Sequence, residues 1–213
     1  MLYIPPAYRD DDLARLHAQI HAIGFATLIT VGEAGPLVSH LPMLIEANAG
    51  PRGRLMGHVA RANPQWKLTD FAKPAVAIFM GPDTYVSPSW YPAKQEHGKV
   101  VPTWNYRVVH VRGTLAPFDD PDELRRHVTA MTDRHEGRFE VPWKVTDAPE
   151  DYVRSQLKGI VGLRLTIETI EGKAKLSQNR AEPDRRGVIA ALKTSAAAAD
   201  QDIAALMEQR ERR

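Results

Sequence analysis

The sequence predicts a mainly β protein with inserted helices, an α+β fold whose strands form an antiparallel sheet or a small barrel. Two observations support this prediction. Segments rich in β-branched and aromatic residues follow one another and are separated by short turns that contain Gly or Pro. No helix stands regularly between consecutive strands, as the crossovers of a parallel sheet would require, so a Rossmann fold is not expected.

The N-terminal half is predicted to contain a helix, three strands and a second helix. The acidic run at 10–12 can cap the first helix, and Gly24 ends it because glycine tolerates the left-handed backbone that follows a helix. Asn63 and Pro64 suit the N-cap and the first position of the second helix, which is predicted to continue through Phe71. The three strands lie between Gly-containing turns, at 25–31, 36–45 and 54–59.

The C-terminal half is predicted to contain several more strands and three helical segments. Turns are expected at 81–83 and 171–172, where Gly occurs with polar residues or Pro. Asp120 precedes Pro121, a typical helix start, and the alanines at 196–199 favour helix. In chain order the elements are strands at 75–80, 84–87 and 100–115, helices from 119 to 134 and from 147, strands around 163–167 and at 173–178, and a helix from 183. Residues 1–183 are expected to form one domain, and residues 184–213 a C-terminal helical extension.

Composition excludes several classes of function. The 213 residues include no cysteine, which rules out disulfides, thiolate catalysis and cysteine-ligated metals. No N-terminal signal peptide is visible, and the apolar runs are far shorter than the ~20 residues of a membrane span, so a soluble cytoplasmic protein is expected. A net charge of +2 is small for a dedicated nucleic-acid binder.

The first candidate site lies where a predicted strand ends and a helix begins, and it comprises His58, Arg61, Ala62 and Asn63. The N-terminus of a helix offers free backbone N–H groups and a positive dipole end, which suit a phosphate. Arg61 adds a planar, charged group with several donors. The alternative interpretation is an ordinary capped helix with a surface arginine, and spacing alone favours it.

The second candidate site is formed by two β-rich segments that each carry Trp and Tyr beside hydroxyl or amide side chains. Such a surface can hold a flat heteroaromatic ring while a few polar groups recognise its edge. The alternative is that these aromatic residues belong to the core. The residues concerned are Ser87, Ser89, Trp90 and Tyr91 in the first segment and Thr103, Trp104 and Asn105 in the second.

The third candidate site is the short segment that contains Lys175 and Gln178. Both side chains can donate hydrogen bonds to a ring edge rich in carbonyl groups, and a lysine there would stabilise a developing anion. A polar loop after a strand explains the same residues equally well. No catalytic acid or base stands out in any of the three sites.

Metal binding is not expected. His17 and His21 are four residues apart on the first predicted helix, a spacing that can bind a metal, but no acidic residue stands at the remaining ligand positions. A half-exposed helix face explains the two histidines more simply. The sequence also contains no phosphate-binding loop of the Walker type and no nucleophile elbow around a serine.

Taken together, these segments resemble the PaiB-type family of FMN-binding negative transcriptional regulators. The resemblance runs from Tyr3 to the helix around Val188 and therefore covers nearly the whole chain. Each motif alone is weak, but their common order is specific. The motifs are Ser39-His40-Leu41-Pro42, Gly57-His58 with Arg61-Ala62-Asn63-Pro64-Gln65-Trp66, Val86-Ser87-Pro88-Ser89-Trp90-Tyr91, Pro102-Thr103-Trp104-Asn105-Tyr106 with Val109-His110, and Lys175-Leu176-Ser177-Gln178-Asn179.

The resemblance implies an antiparallel FMN-binding split β-barrel, similar to pyridoxamine-phosphate oxidases and flavin reductases. It also implies a homodimer with FMN at the interface and a segment from Lys175 to Gln178 that faces the flavin. A flavin-dependent redox or flavin-sensing role is the first hypothesis, with an unknown small-molecule substrate if the protein is an oxidoreductase. The second is a repressor that binds DNA, although no helix-turn-helix pattern is found. The third is a haem-binding or haem-degrading protein, for which His40, His58 and His110 are the candidate axial ligands.

Overall fold

The computed structural model describes residues 2–212, and Met1 and Arg213 lie outside the described residues. The strands are β1 (Arg9–Asp10), β2 (Phe25–Gly32), β3 (Gly35–Glu46), β4 (Arg54–Ala60), β5 (Ala75–Val86), β6 (Thr103–Phe118) and β7 (Ile160–Lys175). The helices are α1 (Leu13–Ile23), α2 (Gln65–Leu68), α3 (Ala93–Glu96), α4 (Pro121–Glu136), α5 (Glu150–Leu157), α6 (Glu182–Lys193) and α7 (Ala198–Glu211).

The strands form a seven-stranded sheet in the order β1-β7-β4-β3-β2-β5-β6. The β2–β3 hairpin turns at Gly35, whose φ of +117° is readily adopted only by glycine. An additional pairing between β6 and β7 closes six of the strands into a ring and leaves β1 outside it, paired only with β7. The pairings of β2 with β3 and β5, of β3 with β4 and of β4 with β7 are antiparallel, which confirms the predicted mainly β fold with inserted helices.

Two predicted turns are wrong, because the backbone continues there as strand. Gly81 lies inside β5, where an added Cβ would come within 3.1 Å of the carbonyl oxygen of Arg107. This glycine therefore permits close packing and does not reverse the chain. Gly172 lies inside β7, where it pairs with Asp10 of β1. The pairing partner lies more than 160 residues away in sequence, so a local turn signal could not reveal it.

Two helical predictions also need correction. Helix α2 ends at Leu68 and does not include Phe71, because Thr69 is extended and the backbone N–H of Asp70 donates to the carbonyl of Val31 at 2.8 Å. The C-terminal helix is two helices, α6 and α7, which an interruption at 194–197 separates. Helix α4 was predicted well, and Asp120 caps it by accepting from the backbone N–H of Glu123 at 2.8 Å.

The chain divides into two compact units, which we describe separately. The sheet unit comprises residues 13–79 and 110–170, and the tail unit comprises the described residues up to 12, residues 80–109 and those from 171 onward. The predicted boundary at 183/184 differs from this division and stays a prediction.

Each unit has its own hydrophobic cluster. In the sheet unit, Phe118 packs with Leu124 of α4 and with Val153 and Leu157 of α5. In the tail unit, α6 and α7 bury Val188, Leu192, Ile203 and Met207 around Leu176. Within residues 2–212, no helix combines the length and the apolar content needed to cross a membrane.

Candidate functional site

The residues predicted as cofactor-binding fall into two sets. His58, Arg61, Ala62 and Asn63 belong to the sheet unit. The remaining residues belong to the tail unit, and they are Ser87, Ser89, Trp90, Tyr91, Thr103, Trp104, Asn105, Lys175 and Gln178. The two sets are therefore described in turn.

In the sheet unit, Arg61 is held at the end of β4 by backbone carbonyl groups. Its Nε donates to the carbonyl of Lys158 at 2.8 Å, and its Nη2 donates to the carbonyl of Ile160 at 3.0 Å. Its Nη1 lies 3.7 Å from Oδ2 of Asp119, an exposed carboxylate. The guanidinium is therefore fixed in position while its side chain stays 39% accessible to a ligand.

Asn63 organises the start of α2. Its Oδ1 accepts from the backbone N–H of Gln65 at 2.9 Å, and its Nδ2 donates to Oγ of Ser39 at 2.9 Å. The side chain thus orders the turn that leads into a helix of only four residues and links this turn to β3. One of the free N–H groups that the sequence suggested for a phosphate is already satisfied by Asn63 itself. Ala62 is exposed beside it.

His58 forms a pair with His127, a residue that sequence reasoning missed. Nδ1 of His58 and Nε2 of His127 lie 3.0 Å apart, and the two rings meet edge to face with centroids 5.2 Å apart. Burial lowers the pKa of both imidazoles, and the neighbouring His58 contributes to lowering that of His127 to about 4. Both rings are therefore neutral at pH 7, and one nitrogen donates to the other.

In the tail unit, Lys175 is directed at the start of β6. Its Nζ donates to Oγ1 of Thr103 and, at 2.7 Å, to the carbonyl oxygen of Trp104. Burial lowers the pKa of Lys175, and the positive charges of Lys173 and Arg180 lower it further. Three cationic side chains thus influence one small region. The structure brings Lys175, from the third candidate site, into contact with Thr103 and Trp104 from the second.

Gln178 and Asn105 shape the backbone of this region. Gln178 accepts from the N–H of Leu176 at 2.6 Å and donates to the carbonyls of Ala174 and Ala7. Asn105 is fully buried, donates to Oγ of Ser177 at 2.9 Å and accepts from it at 3.1 Å. Ser177 has a φ of +59°, an uncommon conformation that these hydrogen bonds help to fix.

The aromatic residues divide into buried and exposed groups. Tyr91 is buried in the tail-unit cluster, whereas Trp104 is 52% exposed and meets Tyr85 edge to face at 6.2 Å. Ser87 accepts from the N–H of Ser89 and caps the turn that carries the half-buried Trp90. Trp104 is therefore the aromatic residue of the predicted set that is most available to a flat ligand.

A small cavity in the tail unit is lined by further polar groups that were not among the predicted cofactor contacts. Beside the predicted Thr103, Asn105 and Lys175, its lining includes Tyr8, Ser177, Asn179 and Arg180. Arg180 directly follows the Lys175–Asn179 motif, so its position was a usable signal. His127 had no such signal, because its partner lies 69 residues away.

The sequence matches a family model described as "Putative FMN-binding domain" over residues 2–169. The chain is 31% identical over 209 residues to the Bacillus subtilis protein named "Protease synthase and sporulation protein PAI 2", and the match covers 98% of each chain. It is also 29% identical to an uncharacterized protein of Emericella nidulans, with 98% of this chain and 97% of that protein covered.

Solved structures share the fold at low sequence identity. A conserved hypothetical protein of Mycobacterium tuberculosis, Rv2991, aligns with a TM-score of 0.59 at 14% identity, covering 85% of this chain and 95% of that chain. The flavocytochrome Anf3 of Azotobacter vinelandii aligns with a TM-score of 0.56 at 14% identity, covering 83% of this chain and 71% of that chain. These likenesses confirm the predicted split-barrel fold class.

The predicted cofactor is confirmed at the level of the family, whose defining domain binds FMN. The family model matches well over half of the chain, and the relative PAI 2 is alike over nearly its whole length. The chain therefore belongs to the PaiB-type family of FMN-binding proteins.

Proposed function

We propose that this protein is a cytoplasmic, FMN-binding homodimer that acts in flavin-dependent electron transfer. The observation that carries the proposal is the position of Lys175, a partly buried cation held by Thr103 and the carbonyl of Trp104. When bound, FMN would supply the chemistry, by accepting and passing on electrons. The role of the chain is to hold the flavin and to stabilise negative charge with Lys175.

The chemistry of the available groups fits FMN. The exposed ring of Trp104 offers an apolar surface to a flat ring system, and Lys175 offers a cation with donors for its oxygen-bearing edge. In the sheet unit, Arg61 offers an oriented guanidinium that suits a phosphate. Within the sheet unit, Arg61 and His58 are the proposed contacts for a phosphate. Within the tail unit, Trp104 and Lys175 are the proposed contacts for a flat ring. Asn105, Gln178 and Tyr91 would act by positioning other groups.

The homodimer is supported by an apolar sheet face that one chain leaves exposed. Paired residues of β2 and β3 point to the same side, and Phe25 and Val38 on this side are 56% and 54% exposed. No Asp, Glu, Lys or Arg occurs among its members. The face comprises Phe25, Thr27, Ile29, Val31, Pro36, Val38, His40 and Pro42. A second copy of the chain is the occupant that we propose, because symmetric dimers use the same surface twice.

The repressor and haem hypotheses receive less support. Helix α7, which was the candidate for DNA contact, buries Ile203, Ala204 and Met207 in the tail-unit cluster and so serves packing. Of the candidate haem ligands, His40 bonds through Nδ1 to the hydroxyl of Thr27 at 3.0 Å, and His58 bonds to His127. A Soret band that stays at the position of free haem when the protein is added would remove the haem hypothesis.

The experiment that tests the redox proposal is reduction of the FMN-loaded protein by NADH or NADPH without oxygen, followed by air or a quinone. We expect the flavin absorbance to bleach and then to return. We also expect Lys175→Met to lower the reduction potential of the bound flavin, because an anionic reduced form loses a neighbouring cation. Lys99→Met, an exposed change in the same unit, should leave the potential unchanged. Failure of every nicotinamide donor and every acceptor would refute the redox role.

A further inference from the structure

A hydrogen bond connects His58, near the end of β4, to a buried histidine behind it. The two residues come from β4 and α4, and both belong to the sheet unit. Nδ1 of His58 and Nε2 of His127 lie 3.0 Å apart. His58 is half-buried, whereas His127 is 5% exposed. His127 is therefore too buried to contact a ligand itself, and it can influence one through the ring of His58.

The ring of His127 is held in place by its packing. Gly162 of β7 pairs with His58, and a Cβ at Gly162 would come within 2.2 Å of the ring of Phe118. The absence of a side chain at Gly162 thus leaves the space that Phe118 occupies. Phe118 meets His127 edge to face, with ring centroids 6.2 Å apart. This contact and the hydrogen bond to His58 together orient the ring of His127.

The second nitrogen of His127 indicates which ring donates the hydrogen bond. Nδ1 of His127 is buried and has no partner among residues 2–212. If His58 were the donor, this Nδ1 would carry a proton and would be a buried N–H without an acceptor, which is rare in proteins. If His127 donates from Nε2, its Nδ1 is bare and needs no acceptor. The second arrangement also places both rings in the Nε2–H form, the tautomer that neutral histidine prefers in water.

The hydrogen bond leaves His58 one nitrogen for a ligand. Because Nδ1 of His58 accepts from His127, the proton of the neutral His58 ring is on Nε2. Burial lowers the pKa of both imidazoles, so both are neutral at pH 7. His58 can therefore meet a ligand as a neutral donor, and the positive charge near it comes from Arg61, whose side chain is 39% exposed.

We propose that His127 is a positioning residue that fixes His58 as a neutral Nε2–H donor to an oxygen atom of the bound ligand. The hydrogen bond between the rings keeps His58 from turning its bare nitrogen towards the ligand, where two lone pairs would repel each other. A directional hydrogen bond from His58 thus complements the charge of Arg61. This inference deepens the proposed function and rests on it only for the identity of the ligand.

The first test locates the protons on the two rings in the FMN-free protein at pH 7. NMR correlation of ring protons with ring nitrogens in isotopically labelled histidine distinguishes protonated from bare nitrogens. Spectra of His58→Gln and His127→Gln assign the signals. We expect a protonated Nε2 and a bare Nδ1 in both rings. A proton on Nδ1 of His58, or a charged His58 ring, would overturn the proposal.

The second test compares the binding of FMN with that of riboflavin, which lacks the phosphate, by fluorescence titration. His127→Phe keeps a flat ring but removes the donor, and it should weaken FMN binding about three- to tenfold, the value of one neutral hydrogen bond. Riboflavin should bind this variant and the wild type alike. His127→Gln retains an N–H donor and should restore FMN affinity. His135→Phe changes an exposed histidine on the same helix and is the matched control.

The outcomes separate a positioning role from a merely structural one. Thermal unfolding verifies that each variant is folded. If His127→Phe lost affinity for FMN and riboflavin equally, or if His127→Gln bound FMN as weakly as His127→Phe, the proposal would be overturned. A protein that shows the expected histidine spectrum but binds no FMN would refute the proposed function alone, because the spectrum is recorded without the flavin.

Discussion

Arg61 and Lys175 are the two cations on which the proposed flavin contacts depend, and their surroundings differ. The guanidinium of Arg61 is oriented by two backbone carbonyls and lies near the carboxylate of Asp119. Lys175 has only neutral partners and two neighbouring cations. The first arrangement orients a charge that is already partly balanced, whereas the second leaves a positive region that a ligand can neutralise.

Arg61→Ala should weaken FMN binding by about 1.5–3 kcal/mol, the usual cost of losing a hydrogen bond to a charged group. Riboflavin, which lacks the phosphate, should bind the variant and the wild type alike. Arg154→Ala removes an exposed arginine of the same unit and is the control. Fluorescence titration of both ligands makes the comparison, and unchanged FMN affinity in Arg61→Ala would place the phosphate elsewhere.

The His58–His127 pair should make stability depend on pH. Burial lowers the pKa of His127 from 6.5 to about 4 in the folded protein. Between these values the unfolded chain binds the proton more readily, so the free energy of unfolding is largest above pH 6.5 and falls as the pH drops towards 4. The total loss is up to roughly 3 kcal/mol.

The corresponding variant is His127→Phe, which removes the titrating group beside the ring of Phe118. Urea unfolding at pH values from 4 to 7 should show a flatter profile for this variant than for the wild type. His135→Phe changes an exposed histidine on the same helix and should keep the wild-type slope. Identical slopes in His127→Phe and the wild type would rule out the pair as the source.

At the scale of elements, α6 and α7 support the segment that carries Lys175. Leu176 is buried against both helices, while its neighbour Lys175 points to Thr103. Met207 of α7 also touches Asn105, with 3.5 Å between Nδ2 and the sulfur. Asn105 in turn donates a hydrogen bond to Ser177, so it connects Met207 of α7 to the turn that follows Lys175.

Met207→Ala should destabilise the protein by about 2–4 kcal/mol, because it removes buried volume that the neighbouring side chains cannot fully replace. Gln209→Ala, an exposed change on the same helix, should leave stability within about 0.5 kcal/mol of the wild type. Chemical denaturation measures both. A Met207→Ala protein as stable as the control would show that α7 does not support the Lys175 segment.

Local patterns predicted the elements whose cause is local. The helix ending at Gly24 and the cap at Asp120 follow from residues within a few positions, and both are observed. The continuity of β5 and β7 depends on pairing with distant strands, which overrode the turn signal at Gly81 and Gly172. The same limit applies to the site.

Residue types predicted which side chains could contact a cofactor. The structure shows which of these side chains already use their hydrogen-bonding groups within the protein. Gln178 and Asn105 carry the amide donors that suggested cofactor binding. Both side chains instead form hydrogen bonds with neighbouring backbone or side-chain groups. Arg180 and Tyr8 gained their importance from the cavity that they share with Lys175. Which groups meet across long stretches of sequence is set by tertiary packing, and one sequence does not display it.

At the scale of the whole molecule, the exposed apolar face of β2 and β3 should govern assembly. Val38→Asp places a carboxylate in the middle of this face and should convert a dimer to a monomer, because burying an unpaired charge is costly. Val141→Asp is the matched control, since Val141 is exposed but lies in the loop between α4 and α5. Sedimentation velocity measures the masses, and a wild-type monomer would refute the dimer.

The most direct test of the central claim is the visible absorption spectrum of the purified protein after incubation with FMN and desalting. We expect a retained flavin spectrum at about one FMN per chain, with band positions shifted from those of free FMN. A protein that leaves the column colourless, with all of the added FMN in the small-molecule fraction, would refute FMN binding by this chain.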